Sequence, residues 1–148
     1  MIGYYMRARS LIPPDPLLEF SIGLAYLHRS MQRQADNRHI LILQGMTFIF
    51  QYYRLIKDRA IQYPGVQGAG IRQEAEYNVA RSFHQIGLLS LAAPYYGVVI
   101  KISEECSSEG CQLENDLVFE AAHNLSLIYI LSGNFKAAKE ITERYLVL

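Results

Sequence analysis

Apolar residues recur along this chain at intervals of three and four, and no stretch alternates apolar and polar as a half-buried strand would. The periodicity predicts an all-α protein of about seven helices with no β-sheet. The first covers about Ile2–Ile12 and is stopped by Pro13-Pro14. The second opens with Asp15 as N-cap and Pro16 at the first helical position, where a missing N–H costs nothing, and runs to about Arg33. Asp36 or Asn37 can cap a third, about Arg38–Lys57. Tyr63 to Gly70, with Pro64, Gly65 and Gly68, is a loop by composition and is expected to be a flexible connector. The fourth helix is about Arg72–Ile86, ended by Gly87. The fifth is about Leu89–Glu104, with Pro94 near its first turn. Residues 105–115 form a second polar loop. Asp116 can cap the sixth helix, about Leu117–Leu131, ended by Ser132-Gly133. The seventh is about Phe135–Val147.

Two of these helices carry one pattern. Asn78, Val79, Ala80, Phe83 and Gly87, followed by Ala92, recur as Asn124, Leu125, Ser126, Tyr129 and Gly133, followed by Ala138, each pair 46 residues apart. A fixed offset across a whole pattern is an internal repeat. Its logic is a pair of antiparallel helices: a small residue in each lets the backbones approach, and aliphatic and aromatic neighbours fill the seam. Val79, Ala80 and Phe83 are answered by Ala92, Tyr96 and Val99; Leu125, Ser126 and Tyr129 by Ala138, Thr142 and Tyr145. Ile22, Gly23 and Tyr26 fit the first-helix pattern, and Gly45, Ile49 and Tyr52 the second. Tyr5, Ala8 and Pro13 fit a second helix without its partner. These spacings resemble the tetratricopeptide repeat, which implies a right-handed α–α superhelix. The chain divides accordingly into an orphan helix (1–13), an extended repeat (15–57), a repeat (74–104) and a terminal repeat (117–148), a single solenoid cut from a longer one. The standard unit is about 34 residues. The excess is assigned to lengthened second and third helices and to the loops near 58–71 and 105–116.

Composition narrows the function. The chain is 51% hydrophobic and 19% charged, which excludes disorder. Formal net charge is zero, so no electrostatic footprint for nucleic acid or an anionic membrane exists. Residues 1–74 nevertheless carry a net +4 and residues 75–148 a net −4. No signal peptide opens the chain, and the uncharged run Gln85–Ile100 is interrupted by Gly87, Pro94 and Gly97, so no membrane span is expected. Cys106 and Cys111 are expected as reduced surface thiols in one loop. The four histidines lie far apart on helices, and Gly65, Gly68 and Gly70 follow no strand. No catalytic residue, cofactor site, metal site or small-molecule substrate is expected; the chain is not an enzyme.

Binding is the remaining class, because repeat proteins present extended surfaces. The outward positions of the first helices are Phe20, Leu24 and Leu27; Tyr77, Arg81 and His84; and His123, Leu127 and Ile130. The middle set is polar. The apolar members of the outer sets call for a cover, either a neighbouring repeat or loop, or a bound segment of another protein. The apolar end at Tyr145 likewise expects a partner or packing back on the preceding pair.

The runs His39–Phe48, Glu76-Tyr77-Asn78 with Phe83–Leu88, and His123–Tyr129 with Ser132-Gly133-Asn134, together with both expanded connections, resemble the C-terminal repeats of the tetratricopeptide subunit of fungal-type transcription factor IIIC, which serves RNA polymerase III. Glu76 and Thr142 depart from the usual repeat, where aromatics are common. The resemblance implies a nuclear, non-enzymatic scaffold whose partners are other factor IIIC subunits and components of initiation factor IIIB, without direct nucleic-acid binding. Recruitment of factor IIIB is associated mainly with N-terminal repeats, which favours internal assembly here. The alternative is a tetratricopeptide scaffold of another nuclear or cytoplasmic complex.

Overall fold

The computed structural model describes residues 1–147. The chain is all-helical, with seven α-helices, 78% helical content and no strand among the described residues. None of the described helices is long and apolar enough to cross a membrane. The chain divides into two compact units, Met1–Arg59 and Ala60–Leu148.

The first unit contains α1 (Ile2–Leu11), α2 (Pro16–Ser30) and most of α3 (Arg38–Ile61). Asp15 caps α2 through its side chain, which accepts from the Leu17 N–H at 3.3 Å, and Pro16 takes the first helical position. Helices α2 and α3 touch through glycine. A Cβ on Gly23 would come within 2.7 Å of Ile49 and 3.0 Å of the Gly45 carbonyl oxygen. One on Gly45 would come within 2.8 Å of Leu27. Backbones this close leave room only for hydrogen, so the small-residue seam expected for a helix pair is present. Helix α1 buries no residue of its own. It is fastened by Arg9, which donates to the buried Glu19 carboxylate at 2.7 Å and lies 5.4 Å from the centre of the Phe48 ring.

The second unit contains α4 (Val66–Gln85), α5 (Leu89–Ser108), α6 (Val118–Leu131) and α7 (Phe135–Ile141), each packed on the next. Val79, Ala80, Ala92, Tyr96 and Val99 are fully buried, and Phe83 nearly so. The terminal pair repeats the seam with buried Leu125, Ser126 and Ala138. The seventh helix is shorter than expected. From Thr142 to Leu146 the backbone widens into a π-helical turn, while the Thr142 hydroxyl donates to the Ala138 carbonyl at 2.8 Å.

The first expanded connection is mostly helix, which corrects the loop expected there, while the second is helical only at its start, from 105 to 108. Helix α3 continues to Ile61 and α4 begins at Val66, so the glycine-rich run is not a flexible connector. Gly68 is helical and buried. A Cβ there would overlap the Tyr63 carbonyl oxygen and reach within 2.8 Å of that of Ala60, so glycine permits the tight entry into α4. Helix α5 likewise continues to Ser108. It ends on Gly110 (φ 75°), where the Cys111 N–H reaches back to the Cys106 carbonyl at 2.9 Å, the same cap that Gly87 and Gly133 give α4 and α6.

The extensions form a small core of their own. Ile102, Cys106 and Leu113 bury one another, with Val66, Ala69 and Cys111 against them. Cys106 is therefore a buried helical residue rather than a surface loop thiol, and burial pushes its pKa up. Gln73, wholly buried in α4, fixes the connection. Its amide donates to Asp116 at 2.8 Å and to the Val99 carbonyl at 3.2 Å, and its carbonyl accepts from the Leu117 N–H at 3.1 Å. Asp116 also accepts from the Ser103 hydroxyl at 2.5 Å and caps α6 through the Val118 N–H at 3.0 Å. One amide and one carboxylate thus tie α4, α5 and the start of α6.

Candidate protein-interaction surface

The outward positions fare differently in the three first helices. On α2, Leu27 is 0% exposed, because it fills the space above Gly45, and it is not a surface position. Phe20 is half-buried with its ring 4.7 Å from that of Tyr52. Leu24 is half-buried and lines a hollow with Ile2, Tyr5 and His28.

On α4 the outward residues are engaged. His84 Nδ1 and the Tyr96 hydroxyl share a hydrogen bond at 3.0 Å, with the rings edge to face. Tyr77 packs edge-on to Tyr96, with centroids 5.9 Å apart, and its hydroxyl accepts from the Asn124 amide at 3.4 Å. Arg81 is exposed. Burial, then the Arg81 charge, lowers the His84 pKa below 6.5. Burial outweighs Arg81 at Tyr96, whose pKa rises to about 12. These groups are joined by hydrogen bonds and ring contacts across α4, α5 and α6, an arrangement that ties three helices.

On α6 the outward residues are bare. His123 is exposed, Leu127 is 39% exposed and Ile130 47%. Phe119 precedes them on the same face, and Leu131 and Phe135 continue the apolar surface beyond. The chain's end packs back instead of standing free. The Tyr145 hydroxyl donates to Glu104 on α5 and Arg144 pairs with the same carboxylate at 2.8 Å. Burial and the Glu104 contact push the Tyr145 pKa up to about 12. Glu104 is thereby a partner for the last turn.

Among the described residues, no group of three His, Cys, Asp or Glu side chains stands where it could hold a metal ion. Tyr77, His84 and Asn124 come together; Phe20, Leu24 and Leu27 share a helix without forming one exposed patch. The Gln73–Asp116 tie had no signal in the sequence beyond a helix-capping aspartate.

Helical pairs meeting through small residues define an all-helical fold consistent with a helical-repeat solenoid. No protein-family model matches the chain. Individual relatives do. It is 44% identical over 155 residues, 99% of its length, to transcription factor tau subunit sfc4 of Schizosaccharomyces pombe. It is 34% identical over 98% of its length to the transcription factor tau 131 kDa subunit of Saccharomyces cerevisiae, and 36% identical over 97% to general transcription factor 3C polypeptide 3 of Homo sapiens. The chain belongs to this family of transcription factor IIIC subunits over the stretch it covers. It spans 14%, 13% and 15% of the lengths of these three relatives.

Proposed function

We propose that this chain is a non-enzymatic scaffold segment of a nuclear, multi-subunit transcription factor of the IIIC type, and that it acts in assembly of the factor. The observation that carries the reading is the bare face of α6, where Leu127 and Ile130 stand exposed while the matching positions of α4 are polar. Exposed aliphatic residues in register along a helix are suited to covering by another protein. The relatives' names, all transcription factor subunits, supply the setting. The partners in this reading are other subunits of the factor, with placement of initiation factor IIIB components a further role of the whole assembly.

The test is the double variant Leu127→Glu, Ile130→Glu in the intact subunit. Both positions are solvent-facing, so helicity by circular dichroism is expected to stay as in the wild type. Co-purification of the other factor IIIC subunits is expected to fall at least about tenfold, since a charge in a desolvated contact costs several kcal/mol. Undiminished co-purification with a folded variant would sink the assembly role of this face.

A further inference from the structure

A groove of about 830 Å³ runs along α4 beside the connection from α5 to α6. Val66, Ile71 and Leu113 give it an apolar floor, and Glu74 and Glu114 stand exposed on its rim. No Lys, Arg or His lines it, and neither carboxylate has an ion-pair partner among the described residues. Gly70 lies in the floor. A Cβ there would meet nothing nearer than Leu113 at 4.0 Å, and its φ is an ordinary helical one, so neither crowding nor backbone conformation requires glycine. A glycine inside a helix weakens it; here it keeps the floor open.

We propose that this groove takes a short extended segment of another protein that carries an apolar residue flanked by Lys or Arg. The two unpaired carboxylates select the cations and the floor seats the apolar residue. From Val66 to Asn78 the helix advances roughly 18 Å at about 1.5 Å per residue, the length of about five extended residues. None of the described connections of this chain offers such a segment. Among the described residues, the non-helical connections of this protein contain one basic residue, Arg33, and so no apolar position flanked by two. This goes beyond the assembly role of α6, because it assigns a second surface and a different chemistry.

The probe is a fluorescein-labelled alternating Lys-Leu hexapeptide, followed by fluorescence polarisation on the full chain, with a Glu-Leu hexapeptide as control. The Lys-Leu peptide is expected to bind and the control not, with binding weaker at about 300 mM than at about 50 mM salt. Gly70→Phe fills the floor, and Glu74→Lys with Glu114→Lys reverses the rim; each is expected to weaken binding by about tenfold or more. Leu127→Glu, outside the groove, is expected to leave it within about twofold. Equal binding of both peptides overturns the proposal, as does no binding of the Lys-Leu peptide. Loss on charge reversal without loss in Gly70→Phe also overturns it, since that marks general attraction to an acidic surface. A wild-type dimer in light scattering that Glu74→Lys with Glu114→Lys dissolves overturns the choice of occupant in favour of a second copy.

Discussion

Helices α4 and α6 match where they face the core and differ where they face out. Val79, Ala80 and Phe83 on α4 have counterparts in Leu125, Ser126 and Tyr129 on α6; the first two of each set are buried. Their outward residues share no chemistry. Tyr77 and His84 are hydrogen-bonded to other helices, whereas Leu127 and Ile130 touch water. The contrast extends a turn earlier. Gln73 is wholly buried in α4, and Phe119, the equivalent position of α6, is exposed. Close approach of two backbones leaves little choice of residue, so the inward positions repeat. The outward ones are free to serve bonds within the fold in one copy and contact outside it in the other.

The largest effect is expected from breaking the tie that only α4 has. Gln73→Leu keeps the volume but removes the partner of the part-buried Leu117 N–H and one donor to Asp116, and it takes away the bond to the Val99 carbonyl. A buried polar group left without its bond makes this cost about 2–4 kcal/mol. Phe119→Gln, the reverse exchange on α6, is expected to change stability by less than about 0.5 kcal/mol. Urea unfolding of the two variants measures both. Equal losses would mean that the two helices are not specialised as described.

That contrast also marks what the sequence could tell. The seams were legible, because small residues set beside aromatics at helical spacing are what close helix pairs require, and Gly23, Gly45, Ala80 and Ala92 lie as the pattern required. The first connection was not. Gly65, Gly68 and Gly70 have the composition of a loop, and only the crowding of Gly68 against the Tyr63 and Ala60 carbonyls accounts for a glycine inside a helix. Gln73 carries no mark that separates a buried amide from an exposed one. Leu27 was placed outward by its register, yet the closeness of α3 at Gly45 buries it. On α6 the exposed aliphatic face was legible, because the repeat supplies a polar copy to compare it with.

A middle-sized effect tests whether the helix α5 extension is held like the repeats. Gly110 adopts φ 75°, as Gly87 and Gly133 do at φ 83° and 80°. Gly110→Ala is expected to cost about 1–2 kcal/mol, the penalty for a side chain in the left-handed region. A loss as large as that from Gly87→Ala would show the inserted turn to be as firmly built as the repeat; no loss would show it frays.

Grafting one face onto the other gives a smaller stability change. Leu127→Arg with Ile130→His writes the outward residues of α4 onto α6. Both sites are exposed, so thermal unfolding is expected to move by less than about 0.5 kcal/mol per site, while co-purification of the other subunits falls. A large loss of stability would mean that these aliphatic residues belong to the core after all.

The smallest effect separates the two faces by pH. His84 has its pKa lowered from 6.5 by burial and then by Arg81, while its counterpart Ile130 cannot titrate. The sign follows from proton binding. Below 6.5 the unfolded chain takes up a proton on this residue that the folded chain resists, so protons favour unfolding. The contribution is fully present above 6.5 and is lost as pH falls from there through the lowered folded value. Tyr96, with a pKa near 12, stays neutral over this range and adds nothing. Other groups also titrate, so the quantity to measure is the difference between wild type and His84→Gln, in which the amide can still meet the Tyr96 hydroxyl. That difference is expected to be constant above pH 7 and to move against the wild type as pH falls to about 5. Parallel curves over the whole range would mean that His84 is solvated, and that the α4 face is less closed than its hydrogen bonds indicate.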